Sequence, residues 1–581
     1  MNNSRTIATP QSADLATFKI LIEGEELSAT YQVKNITVEK EVNRIPFALL
    51  TFFDGEASDQ DFKLSNEDLL IPGKEIEITA GYHNDEETIF KGIIIKHSLK
   101  VRENNSVLIV ECRDKAVKMT VGRKNNYFYD STDADVISEL IDSYSLDAVI
   151  EATDYTHPEL VQYHTSDWDF MITRAQANGK LIVVDDGTVS LIAPDVEQEE
   201  VETVAFGATL LSFDAEMDAR NQFNDITAYG WNPADQELVE ALADDPGLSL
   251  NGNMSSSELA EVIALENLEL KHGGNQNSTQ LQSWSNAKSL FQQLSKTRGR
   301  IKFQGIAEAK PARTLMLDGV GDRFNGKVFI SAVRHQIANG NWVVDAAFGI
   351  NPEWHSETYD IQPLPAAGLL SAVNGLQVGV VTQLEGDPNG EERIMVKIPI
   401  INNEEQGVWA RAALLDAGDN RGTFFRPEIG DEVIVGFIND DPNHAVVLGM
   451  LHSSAKPAPI TATDDNHEKG IVTRSEMKIL FDDEKKSLII ETPAGKKVVL
   501  DEDAGTIVIE DENSNVFTLD SSGVAMETAG DFNIKATGDL NLEGTNVNVK
   551  ANAAFKAEGS ATSELSSSGS TTVKGSLVQI N

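Results

Sequence analysis

The last fifty or so residues constrain this chain more than any other part of it. From Gly530 the sequence reads Asp-Phe-Asn-Ile-Lys-Ala-Thr-Gly-Asp-Leu-Asn-Leu-Glu-Gly544, then Thr-Asn-Val-Asn-Val-Lys-Ala-Asn-Ala-Ala-Phe555, and it closes on Val573-Lys-Gly-Ser-Leu-Val-Gln-Ile-Asn581. Apolar residues alternate with polar ones at the strand period of two, at Phe532 and Ile534, Leu540 and Leu542, Val547 and Val549. Glycine interrupts them at 530, 538, 544, 559, 569 and 575. Only 12 of residues 531–581 are Val, Leu, Ile or Phe, and none is Trp, Tyr or Met. Burying such side chains at about 1.5–3 kcal/mol each does not offset the entropy of ordering the whole stretch. Short strands broken by glycine also leave open edges in a single chain. Both difficulties vanish when three copies wind around a common axis. The alternating face then fills a thin shared interior, Ala, Gly, Ser and Thr suit the tight radius, and each edge pairs with the next chain. A disordered Ser/Gly/Ala tail is the alternative, but such a tail has no reason to keep the alternation to its last residues. Residues 530–581 are therefore expected to form an intertwined triple-stranded β-helix in a homotrimer. Its core is expected to hold Phe532, Ile534, Leu540, Leu542, Val547, Val549 and Phe555.

Most of the preceding chain also reads as strands. In residues 1–130, runs such as Ala16-Thr-Phe-Lys-Ile-Leu-Ile22 and Ser106-Val-Leu-Ile-Val-Glu111 are short, β-branched and separated by Gly, Asn and Asp, which suits a barrel-like β-domain. A helix is predicted at about 132–144, where Thr132 and Asp135 make a capping box ahead of Val136, Ile137, Leu140 and Ile141. A second follows Ser166 and stops at Asn178-Gly179, and a hairpin turns at Asp185-Asp-Gly187. Residues 232–280 are acidic and polar and read as an inserted loop or lid with one short helix around 257–268. A longer helix is predicted from Thr279 to about Thr297, and strands resume from Arg300 to Phe348. Residues 361–374 read as a linker, and 375–455 as about five short strands of the size of a small Greek-key barrel. Residues 456–529 are a β-strand neck leading into the repeat. The fold class is mainly β with a few helices.

Charge and cysteine content remove several function classes. Lysine and arginine number 47 against 92 carboxylates, a net charge of −45. Such a surface repels phosphate, so no nucleic-acid partner is expected. The single cysteine, Cys112, allows no intrachain disulfide, and its alternating strand makes it a buried structural thiol. No apolar stretch approaches the length of a membrane-spanning helix, and the N-terminus lacks an apolar signal core, so assembly in the cytoplasm is expected.

Candidate chemistry is sparse. Gly319-x-Gly321 with Gly326 lies between strands instead of opening a helix, unlike a dinucleotide loop. His444 beside Asp440 and Asp441 reads as a barrel turn. Asp511-x-Asn513-x-Asn515 starts like a calcium loop, but Val516 replaces the required glycine and Ser522 the bidentate glutamate. The last histidine is His467, so no apical histidine metal site is expected. No catalytic residue, metal ligand or cofactor is assigned, and an enzyme is not expected.

Several longer motifs stand out: Ser166-Asp-Trp-Asp-Phe-Met-Ile-Thr-Arg-Ala175, Leu317-Asp-Gly-Val-Gly-Asp-Arg-Phe-Asn-Gly326, Gly379-Val-Val-Thr382, Val408-Trp-Ala-Arg411, Phe425-Arg-Pro-Glu-Ile-Gly-Asp-Glu-Val433 and Val447-Leu-Gly-Met-Leu451. Together they resemble the VgrG family, the spike proteins of type VI secretion systems, and the spikes of related phage-tail-like contractile injection systems. The resemblance implies phage tail hub-like domains over 1–360, an OB-fold-like barrel over 375–455 and the needle over 530–581. It further implies a trimeric central spike that caps an Hcp-like inner tube, meets baseplate proteins and punctures the target membrane when a sheath contracts. A PAAR-type tip protein would dock on Val573, Gly575, Leu577, Val578, Gln579, Ile580 and Asn581, and effector cargo could ride with it. The particle would deliver the spike outside the cell or into the target. No lysozyme domain is expected between barrel and needle, and no effector domain after it. A trimeric adhesin or fibre and a stalk-borne cell-wall hydrolase are the competing readings.

Overall fold

A computed structural model describes residues 15–103 and 105–580 and divides the chain into two units, 1–372 and 373–581. The first unit is built on a thirteen-stranded, largely antiparallel sheet. Strand Val33–Glu41 pairs with Gly326–Ala338 and so joins the N-terminal strands to the late ones. Alternation along Val33–Glu41 buries Ile36, Val38 and Lys40. The first two join Leu50, Phe52, Ile78 and Phe90 in one core, and Ile301, Phe303, Leu315 and Phe348 make a second. Lys40 is a charge in an apolar position, and burial without a partner would be costly. The hairpin turn at Asp185-Asp186-Gly187 supplies the partners: Lys40 is ion-paired to Asp185 and lies 3.1 Å from Asp186. Asp186 and Gly187 both take the left-handed backbone that this tight turn requires.

Helix Asp133–Asp142 starts at the expected capping box and buries Val136, Ile137, Leu140 and Ile141. Helix Asp167–Ala177 is capped by Ser166 and ends where Gly179 turns left-handed. The acidic segment 232–280 is more ordered than a loop. Strands Glu237–Leu242 and Asn267–His272 flank Asp225–Asn232 in a three-stranded sheet, with helix Ser256–Ile263 between them. Helix Ser278–Leu294 packs on that sheet through Leu281 against Ala228 and Ala241. Val239, Ala241 and Leu270, on the helix-facing side of its strands, join Ala228, Leu281 and Trp284 in a small core that outweighs the segment's polar composition. Among the described residues no helix is long and apolar enough to cross a membrane.

The second unit opens with a closed barrel of five strands in the order Gln377–Gln383, Ile394–Lys397, Val408–Ala412, Ala445–Met450, Glu432–Phe437. The third and fourth in that order run parallel, the others antiparallel, which is a Greek-key closure. Val381, Ile394, Val396, Ala410, Val433, Val435, Ala445 and Val447 fill it. Gly379 makes room for them: a Cβ there would lie 2.4 Å from Val396 Cγ1. Seven strands between Glu468 and Glu527 then form a single antiparallel meander. Residues 530–580 form no strand within the single chain.

Candidate self-assembly face and tip

Each meander strand is five residues long, so positions two and four share one face and positions one, three and five the other. In the last six strands positions two and four are always large and apolar. They are Ile479 and Phe481, Leu488 and Ile490, Val498 and Leu500, Ile507 and Ile509, Phe517 and Leu519, Val524 and Met526. Register lines them up into two unbroken rows. One runs Ile479, Ile490, Val498, Ile509, Phe517, Met526, and the other Phe481, Leu488, Leu500, Ile507, Leu519, Val524. Eight of these twelve side chains are exposed in the single chain. The opposite face is polar at its margins, where Lys497 Nζ lies 2.6 Å from Glu510 Oε1 and Lys478 Nζ 3.7 Å from Glu491 Oε2. One face thus carries two largely exposed apolar rows, whereas the other has charged and polar margins on either side of a half-buried central row.

The rows escaped sequence reading because position three is also apolar in several strands, at Leu480, Ile489, Val499 and Val508. Runs such as Ser-Leu-Ile-Ile-Glu then show no alternation. The signal was the constant five-residue strand length set by Asp, Asn and Gly turns.

Of the expected needle core, Phe532, itself exposed, lines a groove of about 690 Å³ together with Ile490, Val498, Ile509, Phe517 and Met526. Ile534, Leu540, Leu542, Val547, Val549 and Phe555 are all exposed and are not brought together. The expected tip residues Val573, Gly575, Leu577, Val578, Gln579 and Ile580 are exposed as well, and Asn581 lies outside the described residues. Their pattern is nonetheless strict. From Val547 to Leu577 every charged residue (Lys550, Lys556, Glu558, Glu564 and Lys574) falls on an even number, and the odd positions hold only Val, Leu, Phe, Ala, Gly, Ser and Thr. Val578 and Ile580 break that phase and fall on the polar side.

The remaining candidates are accounted for by local structure. Asp511 Oδ1 accepts from the backbone N–H groups of Asn513 (2.8 Å) and Asn515 (3.0 Å), and Oδ2 from Asn515 Nδ2 (2.8 Å). These donors, Asn515 first, pull its carboxyl down to about 2 and occupy it within its own turn. His444 Nε2 is 3.9 Å from Asp441 in an exposed turn. Cys112 is buried, and burial pushes its thiol up, away from the reactive thiolate. Gly319 and Gly321 both lie in the connection between strands Thr314–Asp318 and Gly326–Ala338. No group of three or more His, Cys, Asp or Glu among the described residues could hold a metal ion.

Residues 12–339 match the Alg8 N-terminal domain family, and residues 377–452 match the type VI secretion system/phage-baseplate injector OB domain. The type VI secretion system spike protein VgrG3 of Vibrio cholerae is 33% identical over 100 residues, which are 15% of this chain and 10% of that protein. Spike protein VgrG1b of Pseudomonas aeruginosa is 30% identical over 125 residues, 20% of this chain and 16% of that one. The chain thus spans only 10% and 16% of the length of these relatives. A solved E. coli component of the type VI secretion system, described as similar to T4 bacteriophage tail proteins gp27 and gp5, covers 74% of this chain and 100% of its own length. It does so at 12% identity and a TM-score of 0.38. The resemblance to the VgrG spikes read from the motifs is borne out by the two curated spike proteins and the injector OB domain, and the mainly β fold with its small barrel by the strand order itself.

Proposed function

The chain belongs to the Alg8 N-terminal domain family, and we propose that it is the homotrimeric central spike of a contractile injection system, a reading its injector OB domain and its spike-protein relatives support. The two exposed apolar rows of the meander carry the reading. A surface of that extent on a chain of charge −45 stays soluble when identical copies cover it, and three copies around an axis enclose both rows. The single phase from Val547 to Leu577 extends the same enclosed interior through the needle, with the charged positions outside.

In this reading residues 1–360 are the hub that caps an inner tube of Hcp-like subunits and meets the baseplate. Residues 375–455 are the barrel, 456–529 the neck and 530–581 the needle. Paired backbone edges give the needle its stiffness, and sheath contraction drives it through the target membrane. A PAAR-type tip protein seats on residues 573–581 by extending their unpaired edges, and Val578 and Ile580 offer it an apolar rim. The role is mechanical and not catalytic.

Solution mass tests it. Light scattering of the full chain is expected to give three times 63.2 kDa, unchanged on dilution through the micromolar range. A mass of one chain sinks the proposal.

A further inference from the structure

The small sheet of the acidic segment has one face on helix Ser278–Leu294 and one free. On the free face Trp231 stands opposite Leu238, Glu240 lies two pairs along the same ladder and Leu242 four. Trp231 is 36% exposed, Leu238 64% and Leu242 55%. Strand Glu237–Leu242 is the outer strand on its side of the sheet. The backbone of Ala243 donates to Ile226 O at 2.8 Å, which makes that pair a hydrogen-bonded one. In an antiparallel ladder these alternate with non-bonded pairs, so the N–H and C=O groups of Leu238, Glu240 and Leu242 point away from the sheet. Gln282 Nε2 donates to Leu242 O at 2.7 Å. Among the described residues the outward groups of Leu238 and Glu240 have no such partner. Native proteins protect such an edge with charged side chains, lysine above all, with proline or with a bulge; this strand has Glu237 and Glu240 but no lysine, proline or bulge.

Charge says what covers it. Residues 232–280 contain nine carboxylates and one basic residue, Lys271, which is already paired with Glu269 at 2.5 Å. A second acidic copy is repelled, and a cationic chain is drawn in.

We propose that the outer edge of strand Glu237–Leu242 is a docking site for an extended basic segment of a partner protein, which adds to the sheet as a fourth strand. Side chains of an added strand on the free face meet Leu242, Glu240 and Leu238 in turn, so the segment reads apolar-x-basic-x-apolar. Main-chain bonds to Leu238 and Glu240 hold it, and Glu240 selects the basic residue. The site rests on hub geometry alone, so it stands or falls independently of the trimeric needle.

The test is fluorescence anisotropy of the full-length protein with a labelled peptide, Lys-Thr-Val-Thr-Lys-Thr-Val-Thr-Lys, and a counterpart bearing Glu for Lys. The Lys peptide is expected to bind at least about tenfold tighter. Leu238→Pro removes an outward N–H that the protein's own ladder does not use; it is expected to weaken binding by about tenfold or more while leaving the circular dichroism spectrum unchanged. Glu240→Lys is expected to invert the preference between the two peptides, and it decides the matter should the proline variant misfold. Equal binding of both peptides overturns the proposal, as does a preference that Glu240→Lys leaves unmoved. Absence of binding, the result if a second copy already covers the edge, overturns it too.

Discussion

His335 shows how much one residue's setting departs from what its letter suggests. It faces inward from strand Gly326–Ala338, is buried, and accepts a hydrogen bond at Nδ1 from Trp342 Nε1 at 3.3 Å. Burial first, then the nearby Lys40 and Lys310 charges, push the ring down to about 3. An unfolded histidine titrates at about 6.5, so on acidification the unfolded chain takes up a proton before the folded one does. The ring's contribution to stability is therefore full above about pH 6.5, and it is lost at about 1.4 kcal/mol per pH unit as pH falls toward the folded value. His335→Gln keeps an acceptor for Trp342 and removes the titration. The stability of the hub, followed by tryptophan fluorescence in guanidinium at several pH values, is expected to fall less steeply between about pH 6 and 4 in this variant, by about that slope. The sequence placed His335 within the run of strands from Arg300 to Phe348, but the face a strand residue takes is set by its neighbours across the sheet, here Val38 and Val344.

At the scale of elements, the helices were the most legible, because capping and periodicity are local. Thr132 with Asp135, Ser166, and Asn178-Gly179 mark ends that the structure keeps. The acidic segment was the least legible: its strands owe their existence to Asp225–Asn232 and to a helix that follows them in the chain. The meander lies between these extremes, since a stretch of strands over 456–529 was expected and the sorting of their faces was not. Those faces make a sharp contrast available. Ile509→Asp puts a carboxylate into the apolar row, and in the proposed trimer three such charges meet near the axis. Several kcal/mol per chain are at stake, so differential scanning calorimetry is expected to show a large drop in the trimer's melting temperature. Lys497→Ala on the other face removes an exposed pair worth about 0.2–1 kcal/mol and is expected to leave the melt nearly unchanged.

For the whole molecule, the proposed trimer would give residues 456–529 and 530–581 the same kind of interior in two designs. Between 468 and 527 strands and turns alternate within one chain, whereas residues 530–580 pair with nothing of their own. A chain cut at Gly530 is expected to keep a three-chain mass, held by the two neck rows, and to lose the heat resistance of the full protein; mass photometry before and after a heating step reads both. The sequence by itself determined that residues 530–581 could not close a core alone, because its apolar count is a property of composition. It also determined where the helices begin, because a cap is made by residues three apart, and it carried the family motifs. Only the tertiary structure decided that the acidic segment is a sheet with an open edge, that Lys40 is buried against Asp185, and that twelve neck side chains form two rows. Each of those facts depends on which distant strand lies alongside, and period-two sequence, being the same on either side of a one-residue slip, does not encode that choice.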